Sequence, residues 1–233
     1  MDELSIALMN IRRGLEAERE RAAELDGALQ VVLKNWEGAE RHRLPEFRVI
    51  YNVALYVLLF DRDFSVLKVQ MLQAEDHWSR TFVARQMAVA LAELCEDLPA
   101  LLGKSLRSAI ARLEVPAGIV AQLDAASSAF HEAKRRHGSR LRELRNGIGA
   151  HRELDAVKHV QAVIGLDPFE VYGLTPDFYV ALEKYIGTKT ALVAYLGQPA
   201  VILRQLSRRE PAGVAVGAAP KTGDTPRVIR RRR

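Results

Sequence analysis

From residue 3 to residue 35 apolar side chains recur at Leu4, Ala7, Leu8, Ile11, Leu15, Ala22, Leu25, Leu29 and Val32, with charged residues between them. Steps of three, four and seven put these positions on one stripe of a helix. The pattern predicts a long amphipathic first helix, weakly interrupted at Gly14 and Gly27, either a coiled-coil arm or a packed element. Pro45 predicts a second start, because proline fits the first helical position. That helix should run to about Phe60, with Asp61-Arg62-Asp63 as a break. A third should span Ala74 to Asp97 and be closed by Leu98-Pro99, followed by a short one from Ser105 to Leu113 ahead of Pro116.

A long helix is then predicted from Ala117 to Asn146, with the stripe Ile119, Leu123, Ala126, Phe130, Ala133, Leu141 and Leu144. Another follows from Arg152 to Ile164, ahead of Asp167-Pro168. Thr175-Pro176-Asp177 has the form of a helix start: a Thr cap, Pro at the first position and an acid in the first turn. That helix should reach Leu196, with Gly197-Gln198-Pro199 kinking or splitting it before Leu206. No stretch shows the alternation of a half-buried strand. The expected fold is an all-α antiparallel helical bundle. It divides into residues 1–36 as the amphipathic helix, 37–206 as the bundle and 207–233 as a tail without periodicity, rich in Gly, Ala, Pro and Arg and expected to be disordered.

Charge changes the picture only at one end. The chain carries a net +5, but residues 207–233 hold eight basic and two acidic residues, a local +6 that leaves the rest at −1. Overall basicity is therefore no argument that the folded body binds nucleic acid. The Arg230–Arg233 run is the part suited to an acidic partner or nucleic acid. A single cysteine, Cys95, excludes an internal disulfide and a cysteine-based metal site. The start Met1-Asp2-Glu3-Leu4 lacks the basic n-region of a secretory leader. The longest apolar run, Val49 to Phe60, contains Asn52 and is far shorter than the roughly 20 residues of a membrane span. A cytoplasmic protein is expected.

Candidate chemistry gathers where the long basic helix should end, in Arg145-Asn146-Gly147-Ile148-Gly149-Ala150-His151-Arg152. Arg145 can hold a phosphate with a planar, permanently charged fork. Asn146 can donate and accept. His151 titrates near neutral pH and can move a proton. An Arg and a His separated by four to six residues arise by chance about once in a chain of this length, and Arg152 with His159 do so here. The Asn directly after Arg145 sets this pair apart. So does the leading cation run of Lys134, Arg135, Arg136, Arg140 and Arg142. In an unbroken helix residues six apart point about 240° away from each other, so a turn at Gly147 and Gly149 is expected to bring Arg145 and His151 together.

At these residues the chain resembles the HEPN superfamily, specifically its toxin and abortive-infection ribonucleases. These carry Arg, a polar residue and then His at the end of a helix in an all-α bundle. The words Leu144-Arg145-Asn146 and Ala150-His151-Arg152 carry the match. A looser likeness to a helical bundle covers 72–206, and residues 1–70 lie outside it. The resemblance implies a metal-independent endoribonuclease without a cofactor, working in the cytoplasm as a toxin or anti-phage effector. It implies a homodimer whose two motifs face one cleft, RNA as substrate, and a cognate antitoxin or neighbouring-gene product as a further partner. His151 is then the acid and base, Arg145 the phosphate ligand and Asn146 the orienting group. Two other readings remain open. Asn146-Gly147 can be a helix C-cap with Arg145 as a last-turn cation. The fold can also serve as a non-catalytic module that binds protein, nucleotide or RNA.

The remaining residues suggest packing. Trp78 and Phe82 are expected in the core, with Arg85 snorkelling at a helix edge. His137 is expected as a packed or interface histidine. His42, His77, His131 and His159 lack metal-ligand spacing. Glu93, Glu96 and Asp97 cluster at a helix end without the inward Glu-x-x-His pattern of a di-metal bundle.

Overall fold

The computed structural model describes residues 3–149 and 156–208. Among these residues the chain is all-α. The helices are α1 (Glu3–Arg41), α2 (Pro45–Gln73), α3 (His77–Leu101), α4 (Lys104–Leu113), α5 (Ala117–Leu144), α6 (Ala156–Ile164), α7 (Pro168–Gly173), α8 (Thr175–Leu196) and α9 (Pro199–Ser207), with a π-helical turn at Arg145–Gly149 after α5. The predicted tail lies outside the described residues from 209 onward.

The first two helices form an antiparallel hairpin, with Arg48 bonded to Glu40 near its turn and Lys68 to Glu18 near its far end. The amphipathic helix is thus packed against α2 between Glu18 and Glu40, and it continues to Arg41. Neither Gly14 nor Gly27 interrupts it. A Cβ added at Gly27 meets nothing within 4 Å. Gly27→Ala is therefore expected to stabilise the fold by about 0.5–1 kcal/mol, because glycine loses the most backbone freedom in a helix. A thermal melt with an unchanged or lower midpoint contradicts this.

The expected break at Asp61-Arg62-Asp63 is absent: α2 runs on to Gln73. Asp61 and Arg62 are interhelical partners rather than loop residues. Arg21 of α1 donates from Nη2 and Nε to the buried Asp61 carboxylate, at 2.8 and 3.3 Å. Arg62 donates to Asp26 at 2.7 Å. The seven-residue step that buries Leu25, Val32 and Ala39 reaches Glu18 next. There the inner face turns polar, and Glu18 accepts from Ser65 and Lys68 of α2.

Helix α3 starts at His77, not Ala74, because Asp76 in an extended conformation accepts from the Ser79 amide at 2.9 Å. Pro99 lies inside α3 rather than closing it. A helical proline has no N–H for the carbonyl four residues back, here Cys95. The Lys134 ammonium of α5 supplies that missing donor, reaching the Cys95 carbonyl at 2.7 Å. Helix α5 packs against α3 and α8, with Phe130 edge-on to Phe178 at 6.1 Å between ring centres.

Thr175 is not a cap. Leu174 before it is already helical, and the Thr175 hydroxyl donates back to the Tyr172 carbonyl at the end of α7. The break at Gly197-Gln198-Pro199 is present as expected, and the axis bends by 64° between the run Pro168–Leu196 and α9. Among the described residues no single helix is long and apolar enough to cross a membrane.

Candidate active site at the end of the basic helix

Helix α5 carries Arg145 and Asn146 to the edge of the bundle and does not break there. The backbone changes winding at Arg145 and stays helical, as a π-turn, through Gly149. The turn expected at Gly147 and Gly149 begins as this π-turn, and its continuation to His151 lies outside the described residues. Gly147 also answers no packing need, since an added Cβ meets nothing within 4 Å. π-Turns within α-helices occur mostly as single turns and often at functional sites. This one packs against α3, α5 and α6.

Arg145 is about one-quarter exposed and donates from Nη1 to Glu96 Oε2 of α3 at 2.8 Å. Asn146 is exposed. His151 lies outside the described residues, so the structure places two of the three candidate residues and not the third. The sequence alone does not mark Glu96 as the partner of Arg145. The cluster Glu93, Glu96 and Asp97 was visible, but which acid meets Arg145 depends on how α3 crosses α5. Next to it Asp97 accepts from the Tyr56 hydroxyl at 3.1 Å, and burial together with Asp97 pushes the Tyr56 phenol well above its ordinary range. Burial pushes the Cys95 thiol up to about 11, which leaves it a packed, unreactive group.

The cation run leading into the motif is largely engaged with protein. Arg135 and Arg136 both donate to Glu132, at 2.7 and 2.9 Å. Arg136 also reaches Asp177 at 3.2 Å. Arg140 is held by Glu170 at 2.8 Å and meets Glu143 at 3.4 Å. These bonds draw the Glu132 carboxyl below its usual range, with Arg135 the leading cause. The Asp177 carboxyl is lowered too, first by its bond to His137 and then by Arg136. His137, 2.9 Å from Asp177 and beside the Phe178 ring, is a packed histidine as expected. The run is therefore a partly neutralised seam between α5, α7 and α8 rather than an open basic stripe.

Trp78 and Phe82 are not core residues: they are 58% and 53% exposed. The opposite side of α3, through Val83, Met87, Leu91, Leu94 and Leu98, fills the core instead. Helices α6 and α7 pack on α3 and expose Val157, Val160, Ile164 and Phe169. The apolar side of α6 thus faces outward except at Val163. Among the described residues no three His, Cys, Asp or Glu side chains are placed to hold a metal ion.

No family model matches the chain, and neither a curated protein nor a solved structure matches it.

Proposed function

We propose that this protein is a metal-independent endoribonuclease of the HEPN kind, a toxin or anti-phage effector of the cytoplasm that acts as a homodimer on RNA. The observation that carries the reading is the placement of Arg145 and Asn146 on a π-turn at the bundle edge, with His151 two residues beyond it. In this reading Arg145 binds the scissile phosphate, Asn146 orients it, and His151 moves protons while the ribose 2′-hydroxyl attacks. The exposed Val157, Val160 and Ile164 of α6, the helix that packs against that turn, support a second copy as partner, since large apolar side chains left on one face suit a protein contact.

The test is expression of wild type and His151→Ala in cells, followed by growth curves, RNA gels and assay of the purified dimer. Growth arrest and fragmented RNA are expected from wild type only. Equal growth and intact RNA from both, with purified protein inert on RNA, sinks the reading. A second reading is a non-catalytic module that binds protein, nucleotide or RNA, a subunit or adaptor of a defence or toxin–antitoxin complex. The paired state of Arg135, Arg136, Arg140 and Arg145 favours it. A tight complex with a neighbouring gene's product that survives His151→Ala is its signature.

A further inference from the structure

Away from the Arg145 turn, the α1–α2 turn, the end of α4 and α9 enclose a pocket of about 450 Å³ lined by Arg43, Leu44, Pro45, Glu46, Arg112, Gln205 and Arg208. The lining holds three arginines and one carboxylate, a net charge of +2, with Glu114 bonded to Arg208 just outside it. The Glu46 carboxylate is committed to Arg112 at 3.1 Å. Arg208 is positioned by two contacts: its Nη1 donates to the Arg112 carbonyl at 2.9 Å, and its Nη2 to Glu114 outside the lining. That bond is the leading cause holding the Glu114 carboxyl below its usual range.

Two further features add donors. Helix α2 begins at this pocket with Leu44 as cap residue and no side-chain cap, so its first-turn amides and positive dipole end lack a side-chain acceptor. The Gln205 Nε2 is shielded from solvent and has no hydrogen-bond partner, a donor that a small side-chain rotation can offer to a ligand.

The backbone of Arg43 gives an independent pointer. Leu44 N–H bonds the Ala39 carbonyl and Arg43 N–H the Glu40 carbonyl. This is the pair of hydrogen bonds of a Schellman C-cap, with Arg43 at the position that favours glycine. Arg43 adopts φ 51° there, a left-handed conformation strained for a side-chain-bearing residue. Strain of this kind collects at functional sites.

We propose that this pocket binds a small phosphate monoester. Its terminal dianion is received by Arg43, Arg112 and Arg208 and by the start of α2. The three arginines line one pocket, which fits a compact multiply charged group instead of a polynucleotide backbone. A phosphate monoester carries a charge near −2 above a second pKa of about 6, which matches the lining. Orthophosphate alone leaves much of the volume empty, so an organic group is expected on the ester.

The test is calorimetric titration of the full chain with phenyl phosphate, phenyl sulfate and a 5′-hydroxyl oligoribonucleotide. Saturable one-to-one binding of phenyl phosphate is expected, weakened about tenfold or more by Arg112→Gln and by Arg208→Gln, the scale of a lost charge-assisted bond. Phenyl sulfate, a monoanion of the same shape, should bind more weakly. Arg43→Gly separates binding from folding: it should raise the melting temperature by roughly 2–4 °C while weakening phenyl phosphate. No saturable binding at millimolar phenyl phosphate overturns the proposal. So does binding indifferent to all three arginine substitutions. Tighter binding of the oligoribonucleotide, lost in the same variants, reassigns the surface to RNA and overturns it too. None of these arginines belongs to the Arg145 motif, so failure here leaves the ribonuclease reading untouched.

Discussion

Replacing Asp61 by alanine is expected to lower the unfolding free energy by about 3–5 kcal/mol, the usual cost of removing one member of a buried ion pair. Asp61 is fully buried in the middle of α2 and receives both prongs of Arg21 from α1. The buried Lys189 of α8 also faces this site, which borders a cavity of about 230 Å³. Burial pushes the Lys189 ammonium below its ordinary range, and Asp61 partly restores it. Without Asp61, Arg21 and the buried Lys189 lose the one buried carboxylate between them, and Glu18, Glu24 and Glu183 remain as the nearby acids. Lys189→Met is expected to cost far less, because it removes a desolvated charge whose carboxylate keeps its arginine. Urea unfolding of both variants checks this. A loss under about 1 kcal/mol for Asp61→Ala, below what a buried pair implies, contradicts the prediction.

This polar seam shows where sequence reading succeeds and where it stops. The stripe through Leu25 and Val32 was legible because burial of apolar groups repeats with the helical period. So were the start at Pro45, the ends at Leu113 and Leu196, and the stripe of α5 from Leu123 to Leu144. Asp61-Arg62-Asp63 looked like a break because three charges in succession oppose burial. Their partners Arg21 and Asp26 lie 40 and 36 residues away, and one sequence does not reveal pairing at that range. Pro99 misled for the same reason: the lysine that satisfies Cys95 comes from another helix. Residue type alone places Trp78 and Phe82 inside, yet the stripe of α3 that is buried is the one through Val83, Met87, Leu91, Leu94 and Leu98. The candidate site was legible as residue types. Its electrostatic state was not, because Glu96 and Glu170 reach the basic helix only through the fold.

That electrostatic state yields a pair of opposed expectations for the ribonuclease reading. Arg145→Ala should reduce kcat/KM on RNA by about 10²–10³, the scale of losing one preorganised charge-stabilising donor. Arg145→Lys should recover only part of this, since an ammonium keeps the charge but not the planar fork. Glu96→Gln should act the other way. In the resting protein Glu96 occupies Arg145 Nη1, so phosphate must displace a carboxylate. Both partners are partly exposed, and pairs of this kind contribute about 0.2–1 kcal/mol. Releasing Arg145 should therefore raise kcat/KM between about 1.5-fold and fivefold. The gain should shrink as salt screens the competing pair. Steady-state cleavage of a short RNA at low and high salt separates the outcomes. If Glu96→Gln lowers activity as Arg145→Ala does, the ion pair positions the arginine rather than restraining it. If neither substitution changes cleavage, Arg145 is a helix-end cation and the chemistry lies elsewhere.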